Sequence, residues 1–379
     1  MYHFNEIELY YEPRKTILPL LPEIKGEPEM SDFDSAFLCG CLKRFRPKKI
    51  VEVGIAGGGT TAIIDQCMCG LGEIFEHHSI DLNRRFYINS NYESGFLGKM
   101  ADDKLQIDSN YLHRYYYGHV ASEFVEQIDD NIDCLILDTV HACPGEIMDF
   151  ITLMPHLSND CLVILHDLSL NHYTKDKYKS MYCNTLLFSA VTGTKYINFD
   201  DDSKCSMPNI GAVLINENAR KNMGDIFMLL MATWAYLPEK NVLLEYKKAV
   251  EKYYSDDLVK VYDAAVTLNC NNRLSFAEQY PFPFNSLPEK ARVVIYGAGN
   301  VGKSFVNQIR RKKEIQIVKW IDRAHEKIGL PWIDGVETLT ELEDTDYDYI
   351  IIAIENEKIV QEVKAELIEK SINPRKIKA

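Results

Sequence analysis

At 379 residues, 46% of them hydrophobic and 26% charged, the chain is long enough for two or three domains that each bury a core, and its composition excludes a disordered class. A formal charge of −14 argues against nonspecific binding to phosphate backbones, so nucleic acid is not an expected partner. The acidic start MYHFNEIELYYEPRK has no basic leader pattern and no apolar run reaches the length of a membrane span, which makes the cytoplasm the expected location.

In chain order, residues 31–45 read as a helix with Ser31 as N-cap and Pro47 just past its end. A short apolar strand at 49–53 follows, then the run Glu52-Val-Gly54-Ile-Ala56-Gly57-Gly58-Gly59-Thr60, which opens a helix through Met68. Bare backbone at such a turn lets an anionic or nucleotide-like ligand approach the free N–H groups of a helix start. Further strands are predicted at 74–80 ending in Asp81, at 112–117, at 134–137 ending in Asp138, and at 161–165 ending in His166-Asp167. Segments 195–199 and 210–215 supply two late strands, the second antiparallel. Strands alternating with helices at this spacing predict an α/β fold, a parallel sheet covered on both faces, with ligands at the carboxyl ends of its strands.

Residues 217–290 read as a helical segment and linker. Their aromatic and methionine stripe is expected as core, with a self-association surface or a lid as the other readings. Residues 291–379 form a smaller Rossmann-like domain: strand RVVIY, then Gly297-Ala-Gly299-Asn300-Val-Gly302-Lys303-Ser304, then IQIVKWID ending in Asp322. The run fits both a dinucleotide turn and a phosphate loop, and Asp322, twenty residues past the last glycine, favours the first. NAD(H), a nucleotide sugar or no ligand are the options left open, and the candidate contacts are Gly297, Gly299, Asn300, Gly302 and Asp322. Ten cysteines without paired CxxC spacing read mostly as small buried apolar residues. His77 and His78, without a paired acid at metal spacing, read as fold residues or as part of an exposed turn.

Acids at successive strand ends give the first domain, residues 1–216, its chemistry. Glu52-x-Gly54-x-Ala56-x-Gly58, Asp81, Asp138 and Asp167 together resemble the class I S-adenosylmethionine-dependent methyltransferases, with alanine in place of the usual middle glycine. The resemblance implies that Glu52, Gly54, Ala56, Gly57, Gly58 and Thr60 cradle the methionine part of the cofactor, that Asp81 meets its ribose, and that Gly118 and His119 lie near adenine. Asp138-Thr-Val-His141 and His166-Asp167 further resemble metal-dependent sugar O-methyltransferases of the macrocin type. That resemblance implies Asp138 and Asp167, with His166 beside them, as ligands to Mg2+ or another divalent cation, and His141 as general base. The tail resembles nucleotide-binding domains of surface-polysaccharide enzymes. The expected activity is therefore methyl transfer from S-adenosylmethionine to a sugar or nucleotide-sugar hydroxyl. An NAD-linked sugar oxidoreductase or epimerase acting through the tail, and a noncatalytic nucleotide-binding module, are the alternatives.

Overall fold

The computed structural model describes residues 1–20, 30–105, 111–172, 180–200, 208–271, 280–312, 315–323, 339–342 and 345–378. The chain divides into two compact units, one of residues 1–236 and 244–262, the other of residues 237–243 and 263–379. No helix among the described residues is long and apolar enough to cross a membrane.

The first unit is built on one eight-stranded sheet. Its strands are β1 (Tyr2–Phe4), β2 (Lys49–Val53), β3 (Phe75–Asp81), β4 (Tyr111–Tyr117), β5 (Ile132–Leu137), β6 (Leu157–His166), β7 (Gly193–Ile197) and β8 (Ile210–Ile215). They lie in the order β1-β7-β8-β6-β5-β2-β3-β4. The pairs from β4 across to β6 are parallel, and β8 runs antiparallel between β6 and β7. This is the mixed α/β sheet typical of class I methyltransferases, with the antiparallel strand where the sequence put it. β1 is an addition: three residues too short to show a period pair with β7 at the sheet edge.

Central strands covered on both faces read as continuous apolar runs, which is why β2, β5 and β6 are legible in the sequence. Helices α1 (Glu12–Ile17), α2 (Asp32–Phe45) and α3 (Gly59–Gly70) pack one face of the sheet: Phe37, Leu38, Ile63 and Ile64 bury completely in one cluster with Ile50, Cys134, Ile136 and Ile164. Each such side chain contributes about 1.5–3 kcal/mol. Ser31 caps α2 through its Oγ, 3.0 Å from the Asp34 N–H, and Arg46 ends the helix in a left-handed conformation before Pro47. Of the eight cysteines whose side chains are described, seven are buried and all are free, so they act as small core residues.

Helices α4 (Phe96–Leu105), α5 (Val125–Ile128), α6 (Gly145–Leu153) and α7 (Cys183–Ala190) complete the crossovers, and α8 (Glu217–Lys221), α9 (Met223–Leu229), α10 (Lys240–Tyr253) and α11 (Asp256–Asn271) follow β8. The apolar run 222–237 reads as one helix, but α9 stops at Leu229. The chain turns there so that the Ala235 N–H reaches the Cys143 carbonyl at 2.9 Å, a tertiary bond that outweighs local helical preference.

The second unit carries a four-stranded parallel sheet in the order β10-β9-β11-β12, from β9 (Arg292–Tyr296), β10 (Gln316–Ile321), β11 (Tyr349–Ile352) and β12 (Ile377–Lys378). Helices α12 (Asn300–Lys312) and α13 (Glu357–Glu369) belong to it. Val294, Tyr296, Ile321, Ile350, Ile352, Val363 and Leu367 form its core.

Candidate functional site

The glycine turn leaves β2 at Gly54, whose φ of +94° suits glycine. A Cβ there would stand 1.9 Å from the Asp138 carbonyl oxygen, so a bare carbon at position 54 lets the ends of β2 and β5 meet. Gly58 starts α3 with φ +85°, and a Cβ on it would press on Gly95 at 2.8 Å. The Ala56 and Gly57 carbonyls accept from the Gly95 and Leu97 N–H groups, both at 2.9 Å. Ala56 holds φ +48° where the resemblance expects glycine, a conformation that costs an L-residue about 1–2 kcal/mol. Thr60 lies in the first turn of α3.

Asp81, at the end of β3, ties this turn down. One carboxylate oxygen accepts from the Ile55 and Ala56 N–H groups at 3.2 and 3.0 Å, the other from the Asn83 N–H at 2.7 Å. Burial raises its pKa against the pull of those three donors. Glu52 is 1% exposed and turned into the protein, where its Oε2 accepts from the Thr61 and Ser79 hydroxyls at 2.7 and 3.0 Å. Behind it His77 Nδ1 sits 2.7 Å from one oxygen of Asp65, and His113 Nδ1 sits 2.8 Å from the other. Burial works against a charged His77, but Asp65 and Glu52 outweigh it and push the pKa up to about 10. The acid that pairs with His77 stands twelve residues earlier on α3, a separation that strand spacing hides. Gly118 has φ +83°, and the exposed ring of His119 engages Glu123 at 2.9 Å.

At the carboxyl ends of β5 and β6 four predicted residues come together. His166 Nδ1 is 3.1 Å from Asp138 Oδ1 and 3.7 Å from Asp167 Oδ2. His141 Nε2 is 3.2 Å from Asp167 Oδ2 and 3.9 Å from Asp138 Oδ1. Donor atoms of Asp138, His166 and Asp167 all lie within 4.8 Å of one another. His141 and Asp167, after β5 and β6, both have φ +58°, and Ala56, after β2, has φ +48°, left-handed backbone of the kind constrained functional sites often hold. Burial opposes the charge on Asp138, yet the neighbouring His166 holds its pKa below the usual carboxylate range. His166 is correspondingly held well above the ordinary imidazole value by Asp138 and Asp167, against its burial.

Residues the sequence did not single out frame this cluster. The His141 N–H donates to Glu146 Oε1 at 2.6 Å, and the same oxygen lies 3.6 Å from His141 Nδ1. Asn209 Nδ2 donates to Asp167 Oδ1 at 2.9 Å, while its own oxygen accepts from the Ser169 hydroxyl at 2.9 Å. Asn184 donates to the His166 carbonyl at 2.8 Å. Asp34 of α2 lies 3.4 Å from His166 Nε2. Two carboxylates and an imidazole on one small volume suit a divalent ion, and the mixed oxygen and nitrogen set suits manganese, iron or zinc better than calcium. Of the expected acceptor segments, 106–110, 173–179 and 201–207 lie outside the described residues.

In the second unit Gly297 has φ +114°, and a Cβ there would meet the Ala353 carbonyl at 2.7 Å. Gly302 is packed tighter still, 1.8 Å from the Gly297 carbonyl for a Cβ, whereas Gly299 faces open space. Asp322 Oδ2 accepts from the Ala298 N–H at 2.7 Å. A cavity of about 330 Å³ is lined by Gly297, Gly299, Asn300, Asp322, Arg323 and Ile354, among others. α12 starts at Asn300, so Ser304 falls in its second turn, where its hydroxyl donates to the Tyr280 carbonyl at 3.0 Å and is buried. That arrangement fits a dinucleotide-type turn rather than a phosphate loop, whose serine would face a metal-bound phosphate.

Residues 51–168 match a family described as a methyltransferase domain, and residues 289–378 match one described as C2185-like, N-terminal. The chain thus carries a methyltransferase domain, on the sheet whose strand ends hold the glycine turn and the acid cluster. No curated protein matches the sequence. Among solved structures the chain is similar to a SAH-bound methyltransferase of Podospora anserina, at 10% identity and a TM-score of 0.37 over 54% of this chain and 87% of that one. It is also similar to an O-methyltransferase of Bacillus cereus in complex with SAH, at 13% identity and a TM-score of 0.35 over 54% and 90%. The O-methyltransferase TomG of Streptomyces achromogenes, involved in tomaymycin synthesis and bound to SAM, gives 11% identity and a TM-score of 0.38 over 54% and 90%. The fold is carried by the strand order and the family match.

Proposed function

We propose that the first unit transfers a methyl group from S-adenosylmethionine to a hydroxyl, that the acceptor is a sugar or nucleotide sugar, and that a divalent cation assists. The observation that carries this reading is the cluster of Asp138, His141, His166 and Asp167, joined to the glycine turn through the contact of Gly54 with the Asp138 carbonyl. The turn from Gly54 to Thr60 holds the methionine part of the cofactor and Asp81 its ribose. Asp138, Asp167 and His166 would hold the cation, which when bound lowers the pKa of a hydroxyl and fixes its position.

The acceptor oxygen attacks the sulfonium methyl carbon as the carbon–sulfur bond breaks, and its electron pair stays on sulfur, leaving S-adenosylhomocysteine. The hydroxyl proton passes to the His141 imidazole. Asp167, 3.2 Å from Nε2, stabilises the imidazolium that forms, and Glu146, 3.6 Å from Nδ1, orients the ring from the other side. Alignment of oxygen, carbon and sulfur supplies much of the acceleration, on the order of 7 kcal/mol in well-oriented systems. In the second unit, the open face of Gly299 beside Asp322 supports binding of a nucleotide such as NAD(H) or a nucleotide sugar, with Gly297, Asn300 and Gly302 shaping the turn.

The test is incubation of the full chain with methyl-labelled S-adenosylmethionine, a panel of nucleotide sugars and Mg2+ or Mn2+. Label transferred to a sugar is the expected result. No transfer to any acceptor, together with no cofactor binding by calorimetry, overturns it.

A further inference from the structure

Asp34 is far from the acid cluster in sequence and belongs to the first turn of α2, yet it is 5% exposed and its Oδ2 lies 3.4 Å from His166 Nε2. Its own geometry is fixed. The Ser31 hydroxyl donates to Asp34 Oδ2 at 2.7 Å, and the Asp34 N–H donates back to Ser31 Oγ at 3.0 Å. The other group near His166 Nε2 is the amide nitrogen of Asn209, at 3.4 Å, but Asn209 makes its shorter bond, 2.9 Å, to Asp167 Oδ1. The Asp34 carboxylate on the Nε2 side holds the hydrogen of that nitrogen and fixes the ring with Nδ1 facing Asp138 and Asp167. Three carboxylates, Asp34, Asp138 and Asp167, surround the His166 imidazole, with His141 as the second imidazole of the cluster.

We propose that Asp34 is a positioning residue that holds His166 with Nδ1 directed at Asp138 and Asp167, and that the resulting set selects a first-row transition metal such as Mn2+ or Zn2+ over Mg2+. The inference rests on the cation reading proposed above and adds to it an outer partner and a metal class. An imidazole held by a carboxylate on its far nitrogen is a better ligand to borderline metals, and loss of such a partner typically weakens affinity 10–100-fold. Mg2+, which prefers oxygen donors and keeps much of its water, gains little from the nitrogen.

The experiment uses the full chain after chelator treatment and dialysis, titrated with Mn2+ alone and followed by electron paramagnetic resonance, with Zn2+ and Mg2+ as competitors at fixed pH. The wild-type chain is expected to bind Mn2+ at least about tenfold tighter than Mg2+, with spin-echo modulation from a coordinated imidazole nitrogen. Asp34→Asn should weaken Mn2+ about 10–100-fold and leave Mg2+ within about twofold. His166→Asp should remove the nitrogen modulation and narrow the preference for Mn2+. Ser31→Ala, which deletes the cap and the hydroxyl bond to Asp34 Oδ2 but keeps the carboxylate beside His166, should change Mn2+ affinity less than Asp34→Asn does. Tight Mn2+ binding that Asp34→Asn leaves unchanged overturns the positioning role while the cation reading stands. Equal affinity for Mg2+ and Mn2+ overturns the selectivity. Absence of any divalent binding to the wild-type chain overturns both inferences together.

Discussion

The two glycine turns of this chain are built alike and surrounded differently. In each, the first glycine has positive φ and sits against the carbonyl of a neighbouring strand end, Asp138 for Gly54 and Ala353 for Gly297. In each, an acid ending the next strand accepts from the backbone of the turn, Asp81 from Ala56 and Asp322 from Ala298. The difference lies in what adjoins them. The carbonyl that Gly54 meets belongs to Asp138, whose side chain faces His141, His166 and Asp167; the carbonyl that Gly297 meets belongs to an alanine. Among the described residues, every buried acid (Asp34, Glu52, Asp65, Asp81, Glu146 and Asp149) lies in the first unit, while the buried polar residues of the second are Asn269 and Ser304. A turn of this kind is therefore a general holder, and reactive chemistry is assigned by the strand end beside it.

Substitution can break the comparison at its strongest point. Gly54→Ala should cost more than about 3 kcal/mol, because it adds a methyl group 1.9 Å from backbone in a left-handed conformation. Gly302→Ala, 1.8 Å from the Gly297 carbonyl, should destabilise the second unit comparably. Urea unfolding checks both, and a mild effect at either position would remove the shared packing logic. Next in size, His141→Ala should lower kcat about 10²–10⁴-fold with cofactor binding retained, while Asp322→Ala should leave methyl transfer unchanged. Radiolabel transfer and calorimetry separate those outcomes.

A pH series sharpens the contrast in buried acids. Asp149 on α6 is shifted up to about 7, chiefly by burial, with Glu146 adding to the shift and the 2.7 Å bond from the Tyr246 hydroxyl opposing it. Its folded pKa is above the unfolded value, so the stability it contributes is full below about pH 4 and is lost as pH rises towards 7. The loss is on the order of 4 kcal/mol. Asp149→Asn should flatten that window in unfolding curves recorded from pH 4 to 8. The smallest effect is expected at Gly299→Ala, which meets nothing within 4 Å and should alter stability by less than about 0.5 kcal/mol. Its readout is nucleotide binding to the second unit, which Gly299→Val should weaken more than Gly299→Ala.

Much of this architecture was legible because central parallel strands announce themselves as apolar runs. Strands β2 to β6, the antiparallel β8 and the cap at Ser31 followed from periodicity and turn chemistry. The acids at the ends of β3, β5 and β6 were legible for the same reason, since a strand end is a place as well as a boundary. What stayed hidden were partners joined only by folding. Asp34 looked like one more acid in a first helical turn, where acids are common anyway. Asn209 stands just before β8 in a stretch without a motif, and Asp65 pairs with His77 through the side of a helix rather than through spacing. The three-residue β1 was too short to carry a period, and α9 ended early because a bond to Cys143 does not show in local propensity.

Gly54 also acts as a ruler. The hydrogen that stands where other residues carry a side chain sets how near the peptide of Asp138 can come to the start of the turn, and thus the span between the two halves of the site. No larger residue can shorten or keep that span, so variants that retune the turn and variants that retune the acid cluster should not combine additively, however independent their positions look in the sequence.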